Sequence, residues 1–235
     1  ETKASVGGRP ADSIDGRRTA RWAYRLRARL GPERSVATAA EPIDARDAVQ
    51  RSRESVLGDI ATDAIRVGTG ADLALMNAGT MRLDDVLQAG HISSYQLESI
   101  FLFTDEARIV VFPLSGARLR TLLEHSVSDN VIGKGGFLQV SGISFTYTRR
   151  QPDGQRVQTV LRSDGRPLAP DDTVRVAFDI YPACDGGDGY VVPEAAVACR
   201  DRTNGPRSVD LLIRYIDDSL GGRIVRPAGG RIGER

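Results

Sequence analysis

Apolar residues along this chain follow two periods. Over residues 54–67, Val56, Ile60, Ala64 and Val67 recur three or four apart, which predicts a helix with one buried face. The same spacing predicts a helix over 115–127, with Leu119, Leu122 and Leu123 inward, and a last one over 209–219. Shorter helices are expected over 84–87 and over 94–100, the second capped by Ser93 or Ser94. Compact apolar runs predict strands at 35–40, 73–76 and 108–114. A run of hairpins then follows at 138–140, 144–148, 157–161 and 173–179, separated by turns such as Pro152-Asp153-Gly154 and Ser163-Asp164-Gly165. An extended run resumes at 221–224, and no internal repeat is visible. Helices first alternate with strands and then give way to hairpins. The expected fold class is therefore α+β, with mixed β-sheets and flanking helices.

Upstream of this body, residues 1–12 are polar and contain Gly and Pro, and are expected to form a disordered tail. Trp22, Leu26, Arg29 and Leu30 then mark a helix over 15–30 that Gly31-Pro32 stops. Its arginines read as the solvated face of an amphipathic linker helix. The expected organisation is a tail at 1–12, a linker helix at 13–34 and one domain at 35–235, a length that buries a substantial core.

Charge narrows the function. Lys and Arg total 32 against 31 Asp and Glu, a formal net charge of +1, so bulk electrostatics make no case for a nucleic-acid partner. No apolar run is long enough to span a bilayer. No signal peptide is visible and the first residue is Glu, so the chain reads as a processed or excised fragment.

Two segments carry candidate chemistry. In Tyr181-Pro182-Ala183-Cys184-Asp185-Gly186-Gly187-Asp188-Gly189-Tyr190, three glycines surround one carboxylate, with aromatics on both sides. Glycine lets the backbone approach a ligand closely. A carboxylate there can accept both hydroxyls of a vicinal diol, as on a ribose, and an aromatic ring can stack on a base. The bland reading is a glycine-rich turn that Asp188 caps. Asp72 to Met76 reads as a strand, and Asn77-Ala78-Gly79-Thr80-Met81-Arg82 as the polar turn where it runs out.

Together these segments resemble the C-terminal, substrate-binding domain of ecto-5′-nucleotidases and bacterial UDP-sugar hydrolases. Five motifs stand in family order over residues 36–226. They are Arg51-Ser52-Arg53-Glu54 with Gly58-Asp59, Asn77 to Arg82, Leu102-Phe103-Thr104, Gly136 to Gly142, and Gly186 to Tyr190. The resemblance implies roles for seven residues. Arg51 and Arg82 are the phosphate anchors, with Arg53 the alternative to Arg51; a guanidinium fork suits phosphate oxygens. Asn77 and Gly79 contact sugar or base, Asp188 holds the ribose, and Phe103 and Tyr181 clamp the base. Such stacking is worth roughly 1–3 kcal/mol per base. Three departures stand out: Leu102 and Thr104 flank Phe103 in place of Pro and Gly, Thr80 replaces a glycine, and Tyr181 lies one residue upstream of the usual clamp position.

The resemblance further implies a periplasmic or secreted location, in which Cys184 and Cys199 pair as a disulfide; two free thiols are the alternative. It implies hydrolysis at two divalent metal ions on a separate N-terminal metallophosphatase domain, with no cofactor in this chain. Only His91 and His125 are present, neither in a metal-ligand spacing, and both read as structural or loop residues. Asp84-Asp85 and Asp217-Asp218 read as solvated charge. Gly133-Lys134-Gly135-Gly136 is glycine-rich without phosphate-loop spacing and reads as a flexible hairpin tip. The functional expectation is a nucleotide- or nucleoside-binding domain, inactive alone, that presents substrate to a partner domain. The alternatives are an interaction module with a drifted pocket, or a parent acting on cyclic nucleotides, UDP-sugars or sulfur-linked groups.

Overall fold

The structure is a computed structural model that describes residues 31–101 and 107–235. The expected tail, nearly all of the expected linker helix, and Phe103 lie outside these described residues. In chain order the elements are β1 (Ser35–Ala39), β2 (Ile43–Asp44), α1 (Asp47–Gln50), α2 (Val56–Thr69), β3 (Leu73–Asn77), β4 (Val86–Leu87), β5 (Gly90–Ser93) and α3 (Ser94–Ile100). They continue with β6 (Ile109–Ser115), α4 (Gly116–Ser126), β7 (Leu138–Ser141), β8 (Ile143–Tyr147), β9 (Val157–Arg162), β10 (Thr173–Asp179), α5 (Ile180–Cys184), α6 (Ser208–Asp218), β11 (Arg223–Ile224) and β12 (Ile232–Glu234). The α+β expectation holds.

A four-stranded mixed sheet in the order β6-β10-β3-β7 divides the molecule. All five residues of β3 are buried. Because strand side chains alternate faces, Leu73 and Leu75 join the core on one side, while Ala74 and Met76 join the core on the other. The first core is completed by α4 and by the β12-β8-β9 sheet, through residues such as Leu119, Phe145 and Tyr147. The second is completed by α2 and α6, through Ile60, Ile65, Leu212 and Ile216. Helix α2 starts where the Ser55 side chain accepts a hydrogen bond from the Gly58 N–H, and it ends at Gly70, whose φ of 63° only glycine adopts cheaply.

Sheet polarity decides where the predicted segments meet. Strands β3 and β10 are parallel, so both end at the same sheet edge. Strands β6 and β7 run antiparallel to their neighbours, so both begin at that edge. Residues following β3 and β10 are thereby gathered with residues preceding β6 and β7. In open sheets with parallel strands, this carboxyl-end edge is where ligand sites form.

Four expectations need correction. Residues 84–87 are not helical: Asp84 takes a positive φ of 46°, and Val86–Leu87 pairs with Ile43–Asp44. His91 is not in a loop but in β5, where its Nδ1 meets the Ser35 hydroxyl at 3.2 Å. The segment before Gly186 is not all loop, because Ile180–Cys184 is a helical turn that tolerates Pro182 near its start. Residues 133–136 are no free hairpin tip. They are pinned by Gly133 N–H to the Arg51 carbonyl and by the Gly79 N–H to the Gly135 carbonyl, both at 2.7 Å.

Candidate functional site

A cleft of about 680 Å³ opens at this sheet edge. Arg51, Gly79, Arg82, Tyr181 and Asp188 all line it, although they come from three distant parts of the sequence. Asn77 lies beneath its floor, 1% exposed. Arg53 is exposed and does not line the cleft, so of the two candidate arginines only Arg51 reaches it. Phe103 lies outside the described residues.

Asp188 is built in with unusual care. It is one of two non-glycine residues among those described with positive φ, at 53°. A left-handed backbone costs an L-residue roughly 1–2 kcal/mol, so surrounding contacts must hold it. Its Oδ2 accepts a hydrogen bond from Asn77 Nδ2 at 2.8 Å, and its carbonyl accepts one from His125 Nε2 at 2.9 Å. His125 also packs edge-on against Tyr190, with ring centroids 4.5 Å apart. The buried Tyr190 hydroxyl donates to the Gly136 carbonyl at 2.6 Å, and burial raises its pKa well above the usual phenol range. His125 is thus structural, as expected, but its structural task is to hold the carboxylate loop.

The glycines are required by close approach. A Cβ on Gly79 would lie 2.9 Å from Gly135 Cα, and one on Gly136 would lie 2.9 Å from Asp188 Cβ. The two glycine-bearing loops and Asp188 therefore form one packed floor. Gly187 gives way to Tyr181, since a Cβ there would fall 2.4 Å from the ring. Tyr181 lies on the carboxylate loop, 49% exposed, with its ring in the cleft and not in the core.

At one end the floor is flanked by cations. Arg82 Nε donates to the Gly79 carbonyl at 2.7 Å, and its terminal nitrogens make no hydrogen bond within the described residues. Arg51 is ion-paired with Asp47, and its Nε is buried without a partner among the described residues. The loop carrying Arg51 is stapled from below by Gln139, which is fully buried. Gln139 Nε2 donates to the carbonyls of Gln50 and Arg53 at 2.8 and 2.7 Å, and its Oε1 accepts from the Ser55 N–H at 3.1 Å.

Other residues of the lining were missed by sequence reasoning. Asp185 forms an ion pair with Arg202, and both line the cleft, as does Arg108. Asp179, at the end of β10, caps α5 by accepting from the Tyr181 N–H at 2.8 Å, while its other oxygen is buried without a partner among the described residues. Burial pushes its carboxyl up to about 7, against the pull of that N–H. Of these, only Asp185 lies in a segment that the sequence singled out, the glycine-rich run from Tyr181 to Tyr190. Among the described residues, no group of three or more His, Cys, Asp or Glu side chains is placed to hold a metal ion.

Cys184 and Cys199 form a disulfide. It ties the end of α5 to the turn of 3₁₀ helix at Ala198–Asn204, which carries Arg202. Closing a loop between residues 15 apart restricts the unfolded chain. Reduction is expected to lower the unfolding free energy by about 3 kcal/mol. Urea unfolding with and without reductant checks this, and coincident curves would count against it.

Facing glycines, the Asp188 carboxylate, an exposed aromatic ring and two arginines thus line one cleft at the sheet edge. Comparisons with known proteins give the chain a family. The family described as 5′-nucleotidase, C-terminal domain, matches residues 35–194, and the chain belongs to that family. The trifunctional nucleotide phosphoesterase protein YfkN of Bacillus subtilis is 31% identical over 150 residues, covering 60% of this chain and 10% of YfkN. A snake venom 5′-nucleotidase of Naja atra is 27% identical over 204 residues, covering 76% of this chain and 38% of that protein. The crystal structure of a 5′-nucleotidase precursor from Thermus thermophilus aligns with a TM-score of 0.76 at 25% identity, over 94% of this chain and 43% of that one. The chain thus spans less than half the length of each of these three proteins.

Proposed function

We propose that this domain holds a nucleotide and presents its phosphate to a partner domain that hydrolyses the phosphoester. The observation that carries the reading is the order of groups along one cleft. Arg82 sits at Gly79 and the Arg51 backbone at Gly133, Asp188 lies against Gly135, and the Tyr181 ring lies against Gly187. That order matches phosphate, ribose and base. The terminal nitrogens of Arg82 would grip phosphate oxygens, the Asp188 carboxylate would accept the ribose hydroxyls, and the Tyr181 ring would stack on the base. Phe103 is proposed, from the family resemblance, as the second ring of the clamp.

On this reading the residues here bind and orient, and bond cleavage belongs to an N-terminal metallophosphatase domain carrying two divalent metal ions. A periplasmic or secreted location is proposed with it, supported by the disulfide, which persists in oxidising compartments. Calorimetric titration with AMP and adenosine tests the reading. AMP is expected to bind more tightly, and Arg82→Ala to reduce AMP affinity by about ten-fold, the loss of one charged hydrogen-bond partner. Adenosine binding should be unchanged. Equal binding of AMP by the variant and the unaltered chain would remove Arg82 from the phosphate site.

A further inference from the structure

We propose that the Arg202–Asp185 pair reads the edge of the base and makes this cleft select guanine over adenine. The proposal rests on the nucleotide-holding reading and names the substrate class within it. Its first support is position. Asp188 sits beside Gly135, Tyr181 lies on Gly187, and Asp185 is two residues before Gly187 on the same loop. The pair lines the same cleft as Tyr181, on the carboxylate loop and on the 3₁₀ turn that the Cys184–Cys199 bond ties to it. A base lying on Tyr181 would direct its outer edge there.

The second support is chemistry. Arg202 Nη1 donates to Asp185 Oδ1, while Asp185 Oδ2 and the remaining Arg202 nitrogens have no partner among the described residues. Both side chains are 44% exposed and line the cleft. The pair thus offers a free acceptor and free donors side by side. Guanine presents the matching edge: O6 accepts from a guanidinium, and N1–H with the 2-amino group gives a carboxylate two parallel donors. Hypoxanthine keeps O6 and N1–H but lacks the 2-amino donor. Adenine has no oxygen acceptor and offers one exocyclic donor beside an unprotonated N1. A polar site rejects an analogue lacking the group it is built to pair with, because the site's own groups are left unpaired.

The third support is the scaffold. Cys184 immediately precedes Asp185, and Cys199 lies three residues before Arg202. The Cys184–Cys199 bond therefore fixes both members of the pair relative to one another, although they stand 17 residues apart in sequence. Arg202 and Asp185 touch neither the Asn77–Asp188 floor nor the Arg82 anchor through any hydrogen bond among the described residues. Altering them should change base choice and little else.

Titration of the chain with GMP, IMP and AMP tests the proposal. GMP is expected to bind at least about 100-fold more tightly than AMP, with IMP between them, since each step loses a charge-assisted hydrogen bond worth about ten-fold. Asp185→Asn and Arg202→Ala should each lower the GMP-to-AMP ratio by about ten-fold or more while AMP affinity holds, since adenine gains little from the pair. Circular dichroism melts confirm that the exposed substitutions leave the fold intact. Equal binding of GMP and AMP by the unaltered chain overturns the base-reading proposal and leaves the nucleotide-holding reading standing. An unchanged ratio in both variants does the same. Failure of all three nucleotides to bind overturns both readings together.

Discussion

Asp188→Asn is expected to weaken AMP and adenosine binding by about 100-fold, or about 3 kcal/mol, and to leave unfolding nearly unchanged. The carboxylate is positioned to accept two hydroxyl donors, and each hydrogen bond to a charged group is worth about 1.5–3 kcal/mol. An asparagine there retains one acceptor, which Asn77 Nδ2 already occupies, and it turns an N–H₂ donor towards the ligand. Stability behaves differently because asparagine tolerates the left-handed backbone that this position demands, at φ 53°. Asp188→Ala makes the contrast: it loses binding too, but it also pays for the backbone and leaves the buried Asn77 amide without its partner. Calorimetry and thermal melts on both variants separate the two effects. Asn-variant binding within about three-fold of the unaltered chain would remove Asp188 from the ribose site.

The reason this residue is worth testing first is structural. Non-glycine residues in the left-handed region persist where the surroundings over-determine them, and such places are often functional. Around Asp188 the determinants are Asn77 from the end of β3, His125 from α4, and Tyr190 anchored on the Gly136 carbonyl. Each belongs to a different element, and each element ends or begins near one sheet edge. The fold devotes its most constrained contacts to aiming one carboxylate into a cleft.

Much of this was legible in the sequence where the signal is local. Helix α2 announced itself by spacing, helix α3 by a serine cap, and the strands of the central sheet by short apolar runs. The order of Asn77, Arg82 and the Gly-Gly-Asp-Gly loop pointed to the site through family resemblance. What stayed hidden is non-local or disguised. Val86–Leu87 is a strand only because Ile43–Asp44 pairs with it, and nothing in its immediate neighbourhood signals that. Helix α5 was masked by Pro182 and the glycines beyond it, although proline is tolerated in a first helical turn. The contact of Asn77 with Asp188 joins positions 111 apart. Arg202 lies in a polar stretch with no periodicity, and it reaches the cleft only because the disulfide and the parallel pairing of β3 with β10 bring it there. Gln139 sits in an apolar strand pattern, where a buried amide stapling a loop cannot be told from a surface residue.

The position following Gly58 carries the second large expectation. That position is Asp59. Its side chain is 4% exposed in the first turn of α2, with Arg231 Nε 3.5 Å from Oδ1 and no hydrogen bond to that oxygen among the described residues. Arg231 is committed to Asp63, which it grips with two nitrogens at 2.9 and 2.8 Å. Burial raises the Asp59 carboxyl from 3.8 to about 7, opposed by Arg231 and reinforced by the nearby Glu54 and Asp63. A carboxyl whose folded pKa lies above its unfolded value makes the native state hold a proton that the unfolded chain releases. Its contribution to stability is therefore full below about pH 4, falls as pH rises towards 7, and stays lost above that. Asp59→Asn removes the titration. The variant should match the unaltered chain near about pH 4 and exceed its unfolding free energy progressively to about pH 8. Asp179, raised to about 7 in the same direction, stays in both chains and leaves a shared residual slope. Urea unfolding at intervals across that pH range reads the difference directly. Two parallel pH profiles would mean that Asp59 is ionised at no cost, and that Arg231 serves both aspartates equally.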